Sequence, residues 1–186
     1  HVYVPEAIRR AIRAGVKSIE HGQLIDEPTM KLIAEKGVWL SMQPFIGEGN
    51  NHYTNPVQQA KHELVVQGTD RAYQLAKKYG VKLAWGTDLL FSPANARNQN
   101  LNIEKMTRWF SNFEILKMIT HDNAELLALS GRRNPYPGKL GVIEEGALAD
   151  LIVVDGNALE DIKVLTDPGK NMLLIMKDGK IYKNDL

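Results

Sequence analysis

The chain has 186 residues, 44% hydrophobic and 24% charged, with a net charge of +1 and no cysteine. That composition belongs to a globular chain with one real core, or one domain plus a small appendage, and excludes disordered, collagenous and membrane-spanning classes. Near-neutral charge with scattered Lys and Arg gives no electrostatic case for nucleic acid or an anionic membrane, and the lack of cysteine rules out disulfides, thiolate catalysis and cysteine-based zinc sites.

A small molecule is therefore the default partner, and the compartment stays open between cytoplasm and periplasm. The opening HVYVPEAIRR has neither an initiator Met nor a signal-peptide pattern, which sets the expectation that the chain starts partway through a gene product.

Taken in chain order, three segments begin alike: Gly15-Val-Lys-Ser-Ile, Gly37-Val-Trp-Leu-Ser and Gly80-Val-Lys-Leu-Ala. Each follows an amphipathic pattern at helical spacing: Ala7, Ile8, Ala11 and Ile12; then Met30, Leu32, Ile33 and Ala34; then Ala72, Leu75, Ala76 and Tyr79. The glycines read as helix C-caps, Pro5 and Pro28 suit first turns, and Asp26 suits an N-cap. Helix, glycine, short apolar strand, loop and helix again is the order of a parallel α/β sheet, with strands expected over 16–20, 38–42 and 81–85.

Ser111 and Glu114 are spaced as a capping box before a last helix, ILKMITHDNAELLAL. Beyond Gly131 the composition changes. Residues 1–130 read as consecutive βα units, 131–137 as a linker and 138–186 as part of a small β domain, in which GVIEEGALADLIVVDG and NMLLIMKDGKIYK look like strands. Asp178-Gly179 is the strongest hairpin signal in the chain.

In parallel α/β folds, ligands bind at the carboxyl ends of the strands. The expected strands end at His21, at Gln43-Pro44 and at Gly86-Thr87-Asp88, and His1 stands where a preceding strand would end. Two imidazoles and a carboxylate on one rim are natural zinc ligands that leave a position open for water. Taken singly, His21 before a glycine and Asp88 after a threonine read equally well as turn or cap residues. Glu20 should point away from His21 and ion-pair behind the sheet.

His1, Glu20-His21-Gly22, Trp85-Gly-Thr-Asp, KMITHDNAELLAL and KLGVIEEGALADLIVVDGNALEDI together resemble the C-terminal half of the metal-dependent amidohydrolase superfamily. The resemblance is strongest to its imidazolonepropionase-like and Xaa-Pro dipeptidase-like members. It implies half of a TIM-type (β/α)8 barrel, the fifth to eighth strands, plus C-terminal strands of a β-sandwich. It also implies that His1 and His21 bind metal at the ends of the fifth and sixth strands, and that Asp88 at the eighth both binds metal and shuttles the proton. The cofactor would be one or two divalent ions, most often Zn2+, whose hydroxide attacks an amide, peptide or cyclic amidine-type carbon.

The sequence departs from that pattern in lacking the His-x-His pair of the first barrel strand and any segment for the lysine of the fourth. The expectation is a chain inactive alone, in need of the missing N-terminal half, another chain or homo-oligomerisation. Two rival readings stand beside it: a catalytically silent structural fragment, and a mononuclear deaminase-like enzyme. Tyr3, His52, Asn95 and Arg97 are candidate substrate contacts, because the loops after strands line such sites. His62 and His121, both in helical patterns, read as surface or packing residues.

Overall fold

In the computed structural model, which describes residues 1–47, 53–89 and 93–186, the glycine-led repeat alternates helix and strand as its pattern requires. The chain divides into two units, His1–Gly86 and Thr87–Leu186, each taken here by itself.

In the first unit, helix α1 (Pro5–Arg13) leads to strand β1 (Ser18–Glu20), α2 (Glu27–Lys36) to β2 (Trp39–Met42), and α3 (Pro56–Tyr79) to β3 (Leu83–Trp85). The strands are one to two residues shorter at their starts than expected. Gly37 and Gly80 cap α2 and α3 in left-handed conformation, whereas α1 ends at Ala14, one residue before its glycine. Asp26 caps α2 by accepting from the Thr29 amide at 2.9 Å. Burial alone would raise the Asp26 carboxyl, but hydrogen bonds from Thr29 and the Arg9 guanidinium outweigh it and hold the group below its ordinary range.

The sheet is parallel and follows chain order, β1-β2-β3, with Ile19 opposite Leu40 and Leu40 opposite Leu83. All four residues of β2 are buried, as expected of a central parallel strand covered on both faces. Val2 forms a parallel bridge to His21, so residues 1–3 lie along the free edge of β1. Helix α1 packs on α2 and α2 on α3, with Ile8, Ile12, Met30, Ile33, Ala72 and Ala76 facing inward.

Gly68 explains how α3 comes so close to the loop after β1. A Cβ there would lie 2.3 Å from the Gln23 carbonyl oxygen, so a glycine stands mid-helix despite a propensity penalty of about 1 kcal/mol. One turn later, Arg71 donates to the Ile25 carbonyl at 2.8 Å.

In the second unit, α4 (Pro93–Ala96) and α5 (Leu101–Lys105) precede α6 (Asn112–Lys117), which carries the expected Ser111–Glu114 capping box. The last helix is not continuous. A π-helical turn spans Met118–Asp122 before α7 (Asn123–Ala128) resumes. Residues 131–137 lie within this unit, and of the strand expected over GVIEEGALADLIVVDG only β4 (Leu151–Val154) forms. A short α8 (Pro168–Asn171) leads to β5 (Met172–Lys177), then β6 (Lys180–Asn184), in an antiparallel sheet ordered β4-β5-β6. Asp178 and Gly179 join β5 to β6 with φ of 50° and 72°, the left-handed pair a two-residue hairpin demands. Among the described residues no helix is long and apolar enough to cross a membrane.

Candidate functional site

His21 directly follows β1, where its amide still bonds to the Ser41 carbonyl of β2 at 2.9 Å. Its backbone is left-handed, φ 79°, a region that costs a residue with a Cβ roughly 1–2 kcal/mol. Gly22 continues the left-handed turn at φ 77°, and a Cβ on it would meet Leu40 Cδ1 at 2.8 Å. The strand is thus bent sharply at its end. The bend leaves the His21 ring only 5% exposed yet beside the chain's first residues.

Three side chains surround that ring. Tyr3 stacks on it with centroids 4.6 Å apart and planes within 9°. His1 Nδ1 faces His21 Nε2 at 3.0 Å. On the other side His21 Nδ1 lies 2.9 Å from Gln43 Oε1, which also accepts from Gln23 Nε2 at 3.2 Å. Gln23 is fully buried, and its own Oε1 finds no partner among the described residues. Leaving such an acceptor unpaired costs about 1–3 kcal/mol.

In the sequence Gln43 reads only as a strand end, and Gln23 carries no site motif. Their signal was present: a polar residue at the end of an all-buried strand, and another two residues past a candidate ligand.

The donor set suits a divalent cation. Two imidazole nitrogens held by one tetrahedral zinc at roughly 2.05 Å stand about 3.3 Å apart, close to the separation of His1 Nδ1 and His21 Nε2. Among the described residues of the first unit no third His, Asp or Glu ligand atom is gathered beside the pair.

The other candidates fall as follows. Asp88, exposed, lies just past β3 at the start of the second unit with φ 54°, so two of the three residues predicted as ligands, His21 and Asp88, have left-handed backbones. Asn95 in α4 and Arg97 just after it are exposed. His52 lies outside the described residues. Glu20 is half-buried and makes no ion pair among the described residues, contrary to expectation. His62 is half-buried on α3, its ring 5.4 Å from that of Tyr53.

His121, Asp122 and Glu125 bring three ligand atoms within 4.8 Å of one another around the π turn. Asp122 Oδ1 is already engaged there by both Lys117 Nζ and His121 Nδ1. That fits the surface role read for His121.

Comparison with known proteins agrees with the motifs. The amidohydrolase family model matches residues 1–182, and the chain belongs to that family. It is 33% identical to the ochratoxinase of Aspergillus niger over 187 aligned residues, covering 98% of this chain and 37% of that enzyme. Among solved structures, a prolidase complexed with N-methylphosphonate-L-proline matches with a TM-score of 0.85 and 33% identity, over 99% of this chain and 44% of the prolidase. A Xaa-Pro dipeptidase with methionine bound in its active site matches with a TM-score of 0.79 and 31% identity, over 97% and 43%. The chain thus spans less than half the length of each of these relatives.

Proposed function

We propose that the chain is the C-terminal half of a (β/α)8 metal-dependent hydrolase of carbon–nitrogen bonds, acting on amide or peptide substrates. The observation that carries the reading is the approach of His1 Nδ1 to His21 Nε2, 3.0 Å apart, where Val2 forms a parallel bridge to His21 just past β1. The sheet's chain-order topology is that of a barrel segment, in which consecutive parallel strands lie side by side. Left-handed backbone at His21 and Asp88 adds to it, because such strain persists where the side chain's position matters.

In this reading His1 and His21 hold a divalent ion, most simply zinc. When bound, the ion lowers the pKa of a coordinated water and polarises the scissile carbonyl. The roles of the chain's own residues follow from their chemistry. The imidazoles bind through neutral nitrogens. Asp88, assigned from its place after β3 and its match to the family's eighth-strand aspartate, takes up a proton and returns it to the departing nitrogen. Tyr3 walls one face of the His21 ring, limiting its tilt and excluding water from that side.

The relative from Aspergillus niger is an ochratoxinase by name, and the two solved ones described above are a prolidase and a Xaa-Pro dipeptidase. N-acyl and Xaa-Pro amides are accordingly the substrate classes to try first. The His-x-His pair and the lysine that the family pattern adds have no counterpart among these residues, so the 186-residue chain alone is proposed to be inactive until the remaining barrel strands are supplied.

The test is zinc content and Xaa-Pro dipeptide hydrolysis in the full-length protein. His21→Ala should lose bound metal and activity together while retaining its fold. Unchanged metal content in a folded His21→Ala protein would sink the assignment.

A further inference from the structure

We infer that Gln43, held in turn by Gln23, is a positioning residue that keeps the proton of the His21 imidazole on Nδ1 and so reserves Nε2 for metal. The inference rests on the metal reading above and adds to it a residue pair outside the coordination shell.

A neutral imidazole carries one N–H, and the hydrogen bond made by one ring nitrogen decides which nitrogen is free. His21 Nδ1 faces Gln43 Oε1 at 2.9 Å, and a carbonyl oxygen can only accept. Nε2, with its lone pair bare, then points at His1 Nδ1. The opposite arrangement needs the Gln43 amide turned over, so that its NH2 donates to Nδ1 and the ring proton moves to Nε2, where it blocks metal.

Gln23 works against that turn. Its Nε2 donates to the same Gln43 oxygen at 3.2 Å, so turning Gln43 alone would bring two NH2 groups face to face. Gln23 is itself held at its backbone. Its loop is tied down by Gly22 N to Val2 O at 2.9 Å, by Leu24 N to Tyr3 O at 3.2 Å and by Arg71 to Ile25 O at 2.8 Å, while Gly68 of α3 closes against the Gln23 carbonyl. Gln43 and Gln23 are both buried, 5% and 0% exposed, and Gln23 keeps this place although its own oxygen finds no partner among the described residues. Packing alone would be served better by an apolar side chain of the same volume.

Two substitutions at one position separate positioning from packing. Gln43→Met keeps length and volume but offers no acceptor. Gln43→Glu offers oxygen in either orientation. In the metal-free full-length protein, the ring 15N and 13C shifts of His21 report its tautomer, and competition with a chromophoric chelator reports Zn2+ affinity.

The expected result has three parts. The wild type shows the Nδ1–H form. Gln43→Glu retains it and binds Zn2+ within about threefold of wild type. Gln43→Met, with an unchanged circular dichroism spectrum, shifts toward the Nε2–H form and binds Zn2+ about 10–100-fold more weakly, the usual effect of removing the partner of a metal-binding histidine.

A Gln43→Met protein with wild-type tautomer and affinity overturns the inference, as does a Gln43→Glu protein as impaired as Gln43→Met. His21→Ala run in parallel keeps the two readings distinguishable. If it binds Zn2+ normally, the metal assignment itself fails. If it loses Zn2+ while Gln43→Met does not, only the positioning role fails.

Discussion

The two sheets of this chain are built on opposite terms. The parallel sheet of the first unit is dry: Leu40 of its central strand is 0% exposed, and Val38, Trp39 and Met42 are buried with it. The antiparallel sheet of the second unit carries equally apolar residues in the open, Ile152 at 47% exposure and Tyr182 at 64%, with Leu151, Val153 and Ile181 beside them. Burial therefore organises the first sheet, while ladder hydrogen bonds and the Asp178-Gly179 turn organise the second.

A single apolar residue should accordingly be worth far more in one than in the other. The buried sheet is also the one that holds the histidine and glutamine network, because pre-positioned polar groups need a rigid, water-excluded support.

The largest expected effect tests that contrast directly. Leu40→Ala should destabilise by about 2–5 kcal/mol, as expected for a large-to-small change at a filled site, whereas Ile152→Ala should change stability by less than about 1 kcal/mol. Urea denaturation of the two variants checks both, and similar losses would erase the distinction drawn between the sheets.

Next comes Gly68→Ala. Although alanine is the better helix former, its Cβ meets a backbone oxygen that cannot move aside, so a loss of about 2–3 kcal/mol is expected, in the range for overpacking. A stabilised Gly68→Ala protein would mean that α3 does not press on the loop bearing Gln23.

The smallest effect is a pH dependence local to the first unit. The Asp26 carboxyl is lower in the folded state than in the unfolded chain, so its contribution is present above the unfolded value, near pH 4, and is lost as pH falls through the folded one. Asp26 is 41% exposed as a side chain, which keeps that contribution below about 1 kcal/mol. Asp26→Asn, which still caps α2, should flatten the acid limb of the stability curve below pH 4 and leave neutral-pH stability nearly unchanged.

The second sheet's exposed apolar residues, Leu151 and Val153 on one face and Ile152 on the other, yield a separate expectation for the isolated 186-residue chain, which should self-associate at high protein concentration. Light scattering across a dilution series would show a mass that rises with concentration, and a constant monomer mass would count against it.

Much of the fold was readable residue by residue because its signals are local. A capping side chain and the amide it serves sit three residues apart, as Asp26 and Thr29 do. A two-residue turn needs only its own left-handed pair, as at Asp178 and Gly179. Where expectation and structure part, longer-range contacts intervene. The π turn at Met118–Asp122 interrupts a pattern whose spacing looks helical throughout, and a Cβ on Gly141 would meet the Thr120 carbonyl at 2.6 Å, so a distant segment packs directly on that turn. The stretch before β4 has strand-like composition, but residues 141–150 find no strand partner among the described residues.

By itself the sequence determined the alternation of helix and strand, the places of His21 just past β1 and Asp88 just past β3, and membership of the amidohydrolase family. These depend on spacing along the chain and on residue types a reader can see. Tertiary structure alone decided that His21 turns through a left-handed backbone, that Tyr3 stacks on its ring, and that Gln43 and Gln23 stand behind its second nitrogen. The partners in those contacts are some twenty residues apart, and only the β1–β2 register and the Val2–His21 bridge bring them within 3–5 Å.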